Sequence, residues 1–190
     1  ASPERPPLEG IGLKNIFPLW HPDDAVAIRS GIDAGTFKNA VIIGAGLIGM
    51  EMAEALNQQG LNVTIVEMKD QIFPAFLDEE IAAIGHKYLK SKNIQLLTGE
   101  KVEKLLGAES VTAVKTDQRE IPADLVIMAI GARPNVGLAK EAGLTIGETG
   151  AIWVDETMRT SDPDIFAGGD CVESTHMERG KKDFSRRGEI

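Results

Sequence analysis

Cysteine is almost missing from this chain. Cys171 stands alone among 190 residues, which excludes an internal disulfide and any metal centre built from several cysteines. That scarcity fits a reducing compartment, and a cytoplasmic location is the expectation. Excess positive charge is missing too: Lys and Arg number 20 against 29 Asp and Glu, for a net charge of −9. A general nucleic-acid binder needs a basic footprint, so no nucleic-acid partner is expected. Long hydrophobic runs are also lacking. The most apolar stretch, Ala40 to Met50, contains three glycines and falls short of the roughly 18 residues that span a bilayer, so no membrane partner is expected. Ala1 to Gly10 is Pro-rich and has no apolar run of the leader type. Neither an internal repeat nor a low-complexity tract is visible. The three histidines, His21, His86 and His176, have no companions at ligand spacing, so no metal site is expected. What remains is 43% apolar and 26% charged, enough for a packed core.

The order of patterns along the chain is that of an α/β protein. Ala40 to Ile43 is a short β-branched run suited to a strand buried on both faces. Gly44-Ala45-Gly46-Leu47-Ile48-Gly49 follows, then a helical pattern over Met50 to Gln59 stopped by Gly60, then a second strand from Leu61 to Val66. Strand, glycine turn, helix and strand make a βαβ unit. A helix over Leu77 to Lys92, capped by Asp78, presents Ile81, Ile84, Tyr88 and Leu89 as its apolar face. Ile94 to Leu97 reads as a third strand. Val102 to Leu106, Val111 to Lys115 and Glu120-Ile121 read as an antiparallel meander, and Asp124 to Ile130 as another buried strand. Val136 to Ala142 reads as a short helix, and Ile152 to Val154 and Asp164 to Ala167 as further strand-like pieces. Near the start, Asp23 or Asp24 is placed to cap a helix running to about Ser30. The segment from 178 to 190 carries five basic and three acidic residues without an apolar period, and is read as loop or frayed end.

The glycine turn is where chemistry enters. A dinucleotide pyrophosphate must lie against the main chain to reach the N–H groups of a helix N-terminus. Gly44 allows the tight turn out of the strand, Gly46 admits the phosphates, and Gly49 lets helix and strand pack closely. Glu67 ends the next strand, 18 residues after Gly49, where a carboxylate accepts from the adenosine ribose hydroxyls. It also repels a 2′-phosphate, which favours NAD(H) over NADP(H); Lys69, two residues on, softens that repulsion. The competing readings are a tight βα turn with no ligand and an ordinary acid at a strand end.

Three motifs carry a family resemblance: the turn at Gly44–Glu51, Ala129-Ile130-Gly131-Ala132-Arg133-Pro134-Asn135, and Thr160 to Asp170 with its Ala167-Gly168-Gly169-Asp170 ending. Together they resemble the flavoprotein pyridine nucleotide–disulfide oxidoreductase superfamily, most of all its NADH oxidase, NADH peroxidase and coenzyme A–disulfide reductase branch. The resemblance implies a Rossmann-like FAD/NAD(P)-binding fold with a parallel sheet, helices and an antiparallel meander. It implies a lead segment over 1–35 from the flavin-domain crossover, an NAD(H)-binding domain over 36–150, and a partial return to the flavin domain with a tail over 151–190. Gly44, Gly46, Leu47, Ile48 and Gly49 would line the pyrophosphate and the nicotinamide approach, and Glu67 the ribose. Glu51 would sit near the nicotinamide carboxamide, Gly131 near the cofactor, and Asp170 on the FAD ribityl chain. The function implied is that of the NADH-binding part of an FAD-dependent oxidoreductase. Hydride passes from NADH to FAD and on to a thiol, disulfide, peroxide or oxygen, with the rest of a flavin domain and a dimerisation domain as partners. The isolated chain is expected to bind NADH without turnover. A ferredoxin, rubredoxin or nitrite reductase-type flavoenzyme without a redox cysteine, or a non-catalytic NAD(H) sensor, would show the same turn. No catalytic residue is assigned; Cys171 is read as a buried, inert thiol.

Overall fold

The computed structural model describes residues 1–74, 76–175 and 182–184. In chain order the elements are β1 (Ser2–Pro3), β2 (Ile16–Phe17), α1 (Pro22–Asp33), β3 (Asn39–Ile43), α2 (Leu47–Gln58), β4 (Asn62–Glu67), α3 (Glu79–Ser91), β5 (Gln95–Thr98), β6 (Val102–Gly107), β7 (Val111–Thr116), β8 (Glu120–Pro122), β9 (Leu125–Met128), β10 (Ala132–Arg133), α4 (Gly137–Glu141), β11 (Ile152–Trp153), β12 (Val172–Thr175) and β13 (Lys182–Phe184). They fall into two compact units, one of residues 5–130 and one of residues 1–4 with 131–190.

The 5–130 unit is built on a five-stranded parallel sheet in the order β2-β9-β3-β4-β5. Its central strands are apolar on both sides because both sides are covered. Ile42, Ile65 and Ile127 pack with Leu56 of α2 and Leu89 of α3 on one face. Val41, Val66 and Val126 pack with Leu105, Val114 and Ile121 of the β6-β7-β8 antiparallel meander on the other. Each such fully buried aliphatic side chain contributes about 1.5–3 kcal/mol. The start of β3 is fastened by Asp124, whose Oδ1 accepts from the N–H groups of Lys38 and Asn39 at 2.9 and 3.0 Å.

The meander is closed at one end by a buried acid. Glu100 is 3% exposed; its Oε1 pairs with Arg119 Nη2 at 2.8 Å and its Oε2 accepts from the Thr116 hydroxyl at 2.9 Å. Arg119→Met leaves that carboxylate buried without its cation. The half-exposed guanidinium is partly screened by water, so the expected loss is about 2 kcal/mol, below the figure for a fully buried pair. Urea unfolding followed by circular dichroism checks it.

The second unit is smaller. β1 pairs antiparallel with β10, and β11-β12-β13 form a three-stranded sheet over a core of Ala139, Ile152, Val154 and Val172. Glu173 is 1% exposed and its Oε2 accepts from the N–H and O–H of Thr149 at 2.7 and 2.8 Å. Asp155 accepts from Thr157 and Arg159 in a tight turn; the Thr157 hydroxyl and the Arg159 amide hold its carboxyl below the usual aspartate value.

The two compact units change over at 4/5 and 130/131, against expected domain bounds at 35/36 and 150/151. Within residues 5–35, β2 is the edge strand of the parallel sheet and α1 buries Ile28 in its core. Several expected elements are corrected. α1 is capped by His21, whose Nδ1 accepts from Asp23 N–H while Asp24 returns the bond to His21 N–H, and the helix runs to Asp33. α2 begins at Leu47, not Met50. Asp78 is the N-cap of α3 but makes no side-chain cap bond. α3 buries Ala82 and Leu89, while Ile81, Ile84 and Tyr88 are 52%, 63% and 46% exposed. The reason is close packing: a methyl on Gly85 would overlap the Ile72 side chain, so the small-residue face lies inward. Asp164 to Ala167 forms no strand, only an isolated bridge between Arg159 and Phe166. Within the segment read as a frayed end, Lys182–Phe184 pairs with β12; the rest of that reading, and His176, lie outside the described residues.

Candidate nucleotide-binding site

The turn from β3 into α2 is shaped by three glycines with three different reasons. Gly44 has φ +105°, a conformation that side chains rarely adopt, and a methyl on it would overlap the carbonyl of Ala129 at the end of β9. Gly49 is buried, and a methyl there would overlap the carbonyl of Gly44 and touch Ala129 Cβ, so this glycine sets how closely α2 approaches the sheet. Gly46 is different. Its backbone is extended (φ −82°, ψ −168°), and a methyl added to it would meet nothing within 4 Å. The packing of the described residues does not demand glycine there.

Gly46 is the N-cap of α2 and supplies no side-chain cap. The N–H groups of residues 46–49 therefore have no partner inside the helix, and the helix dipole favours negative charge at this end. Leu47 and Ile48 flank the opening, 48% and 47% exposed. Glu51, exposed on α2, lines a groove of about 340 Å³ together with Leu47, Met50, Phe73 and Tyr88. On its rim the Tyr88 hydroxyl donates to Glu54 at 3.0 Å; that bond is the main cause of a tyrosine pKa raised above its ordinary value.

Glu67 closes β4 and is only 9% exposed. Its Oε2 accepts from Ala45 N–H and its Oε1 from Lys69 N–H, both at 2.8 Å. The acid is thus no ordinary exposed carboxylate at a strand end. The carbonyl of Ala45 accepts from Phe73 N–H at 2.8 Å, and Phe73 sits at φ +46°. Sequence reasoning passed over both Ala45 and Phe73, and no composition signal marks a left-handed phenylalanine.

Of the nine expected site residues, seven (Gly44, Gly46, Leu47, Ile48, Gly49, Glu51 and Glu67) belong to the 5–130 unit, around one turn and one strand end. Gly131 and Asp170 belong to the other unit. Gly131 is exposed at φ +106°, and its carbonyl accepts from Glu4 N–H at 2.9 Å. Asp170 is half-buried in a turn, after Gly169 at φ +81° and before β12. The Cys171 thiol is half-buried rather than buried, and donates to the Gly168 carbonyl at 3.4 Å. Among the described residues no group of three or more His, Cys, Asp and Glu is placed to hold a metal ion, and no helix is long and apolar enough to cross a membrane.

A parallel sheet, a glycine turn into a helix N-terminus and an acid closing the next strand define a Rossmann-type unit. The comparisons place it more narrowly. The sequence pattern of the pyridine nucleotide-disulphide oxidoreductase family matches residues 1–183, and the chain belongs to that family. It is 43% identical over 182 residues to an NAD(P)H coenzyme A polysulfide/persulfide reductase of Pyrococcus horikoshii, covering 96% of this chain and 41% of that protein. Among solved structures, an NAD-dependent persulfide reductase from A. fulgidus superposes with a TM-score of 0.94 at 45% identity, over 97% of this chain and 34% of that one. A water-forming NADH oxidase from Lactobacillus brevis, solved bound to NADH, gives a TM-score of 0.88 at 31% identity, over 96% and 40%. The chain thus spans less than half the length of the relatives it matches.

Proposed function

We propose that this chain binds NAD(H) across the Gly44–Gly49 turn and forms the nicotinamide-nucleotide part of an FAD-dependent oxidoreductase. The observation that carries the reading is the open face of Gly46, a main-chain cradle at a helix N-terminus that a methyl would fill and that no atom of the described residues occupies. Around it, the amides of 46–49 receive the pyrophosphate and Glu67 takes the adenosine ribose. Leu47 and Ile48 present apolar surface to the nicotinamide end and shield it from water, and Glu51 is placed for the carboxamide. Gly131 leaves a side-chain-free approach to the cofactor, and Asp170, a half-buried carboxylate, suits a ribityl hydroxyl of FAD. In the whole protein a bound FAD would supply the hydride acceptor, with a thiol, disulfide, peroxide or oxygen as the final acceptor. This chain's own contribution is to bind the donor nucleotide, orient it and keep water from it.

The test is a fluorescence titration of the 190-residue chain with NADH and, separately, with NADPH. Saturable NADH binding in the micromolar to millimolar range, weaker by about tenfold for NADPH (~1.4 kcal/mol), is the expected result. Absence of saturation at millimolar NADH would sink the reading.

A further inference from the structure

The carboxylate of Glu67 already has work before any ribose arrives. One of its oxygens holds Ala45 N–H and the other Lys69 N–H, both at 2.8 Å, with the side chain 9% exposed. Ala45 is itself fully buried and lies in neither helix nor strand. Its second polar group is held as well, since its carbonyl accepts from Phe73 N–H at 2.8 Å. The chain spends a left-handed Phe73, φ +46°, to bring that amide to the turn. Peptide planarity turns these two bonds into a direction. No peptide bond among the described residues is cis, so carbonyl and N–H across each of these peptides point opposite ways. Holding the Ala45 carbonyl against Phe73 aims the Gly46 N–H away from Phe73. Holding the Ala45 N–H against Glu67 sends the Gly44 carbonyl the other way, to the side where Gly49 leaves room for it.

We propose that Glu67 is a positioning residue for the phosphate turn as well as a ribose acceptor: with the Phe73 amide it clamps Ala45 and fixes the direction of the Gly46 N–H before the nucleotide binds. The inference rests on the NAD(H) reading above for its ligand. The clamp itself belongs to the ligand-free chain. It predicts that replacing Glu67 does not simply exchange NADH for NADPH. An acid that only reads the ribose repels the 2′-phosphate, so its removal raises NADPH affinity as NADH affinity falls. An acid that also sets the turn lowers both.

Three measurements on the 190-residue chain decide between these. In the wild-type chain without ligand, the Ala45 amide should exchange with deuterium at least tenfold more slowly than an unprotected amide, although it lies outside every ladder and helix. Glu67→Met removes both acceptor oxygens at similar volume, so Ala45 exchange should quicken at least tenfold, and NADH and NADPH should both bind at least tenfold more weakly. Glu67→Asp keeps the charge but withdraws the carboxylate by one methylene; NADH should weaken several-fold with its preference over NADPH unchanged. An unprotected Ala45 amide in the wild-type chain overturns the clamp even if neither variant folds. NADPH tightening in Glu67→Met with Ala45 exchange unaltered overturns it too. Wild-type chain that ignores NADH while Ala45 stays protected refutes the ligand reading and leaves the clamp standing.

Discussion

Gly46→Ala should abolish useful NADH binding while leaving the fold intact. The added methyl occupies space that is empty in the protein, and the backbone at φ −82°, ψ −168° suits alanine. Alanine is a poorer N-cap than glycine by some tenths of a kcal/mol, but it also stiffens the unfolded chain by a similar amount. The thermal midpoint is therefore expected to stay within about 2 °C of wild type. Binding is another matter. A pyrophosphate in hydrogen-bond contact with the amides of 46–49 has no room for a methyl at its centre. Lifting it away loosens several charge-assisted bonds together, each stronger than a neutral hydrogen bond. A loss of at least ~100-fold in NADH affinity, about 2.7 kcal/mol, is expected. Calorimetric titration beside a melting curve checks both halves. Unchanged affinity would mean that the nucleotide does not lie over this turn.

The architecture was legible where the pattern and the burial have the same cause. Ala40 to Ile43 reads as a strand covered on both faces, and it is one, because apolar side chains of either parity find a covered face. The βαβ order, the meander and the strand at Leu125–Met128 follow for the same reason. α3 shows where pattern fails. Ile81, Ile84, Tyr88 and Leu89 make the larger apolar stripe, yet the helix turns Ala82, Gly85 and Leu89 inward. A period detects bulk, whereas close approach selects for its absence, so a small-residue face passes for surface. Strand Ile16–Phe17 was hidden in a Pro-rich stretch for a related reason: two residues at a sheet edge leave no period to read.

The site divides along a similar line. The three glycines and Glu67 were legible because their order and spacing match the dinucleotide-binding pattern of strand, glycine turn, helix and acid-ended strand. The partners of Ala45 were not. Glu67 reaches Ala45 across 22 positions of chain and Phe73 across 28, through contacts that exist only once the sheet and the loop after β4 are assembled. Nothing in the residue types announces that the acid reads both ends of this geometry.

Gly44→Ala should cost the stability that Gly46→Ala leaves untouched, although the same methyl is added two residues away. At φ +105° an L-residue is strained by about 1–3 kcal/mol. The methyl also overlaps the carbonyl of Ala129, which is main chain at the end of β9 and has no rotamer by which to yield. Overpacking against such a wall costs a further 1–3 kcal/mol or so. Together the loss is about 3 kcal/mol, a large share of the 5–15 kcal/mol that holds a domain folded. The melting transition of the unit spanning 5–130 should fall by about 6–12 °C. NADH affinity should fall with it even at temperatures where the variant is still folded. Relief of either overlap moves Gly44 or β9, and with them the main chain that Glu67 and Phe73 hold in place. Differential scanning calorimetry separates the two variants. A Gly44→Ala chain that melts like wild type would show that the left-handed turn is not the conformation the protein holds in solution.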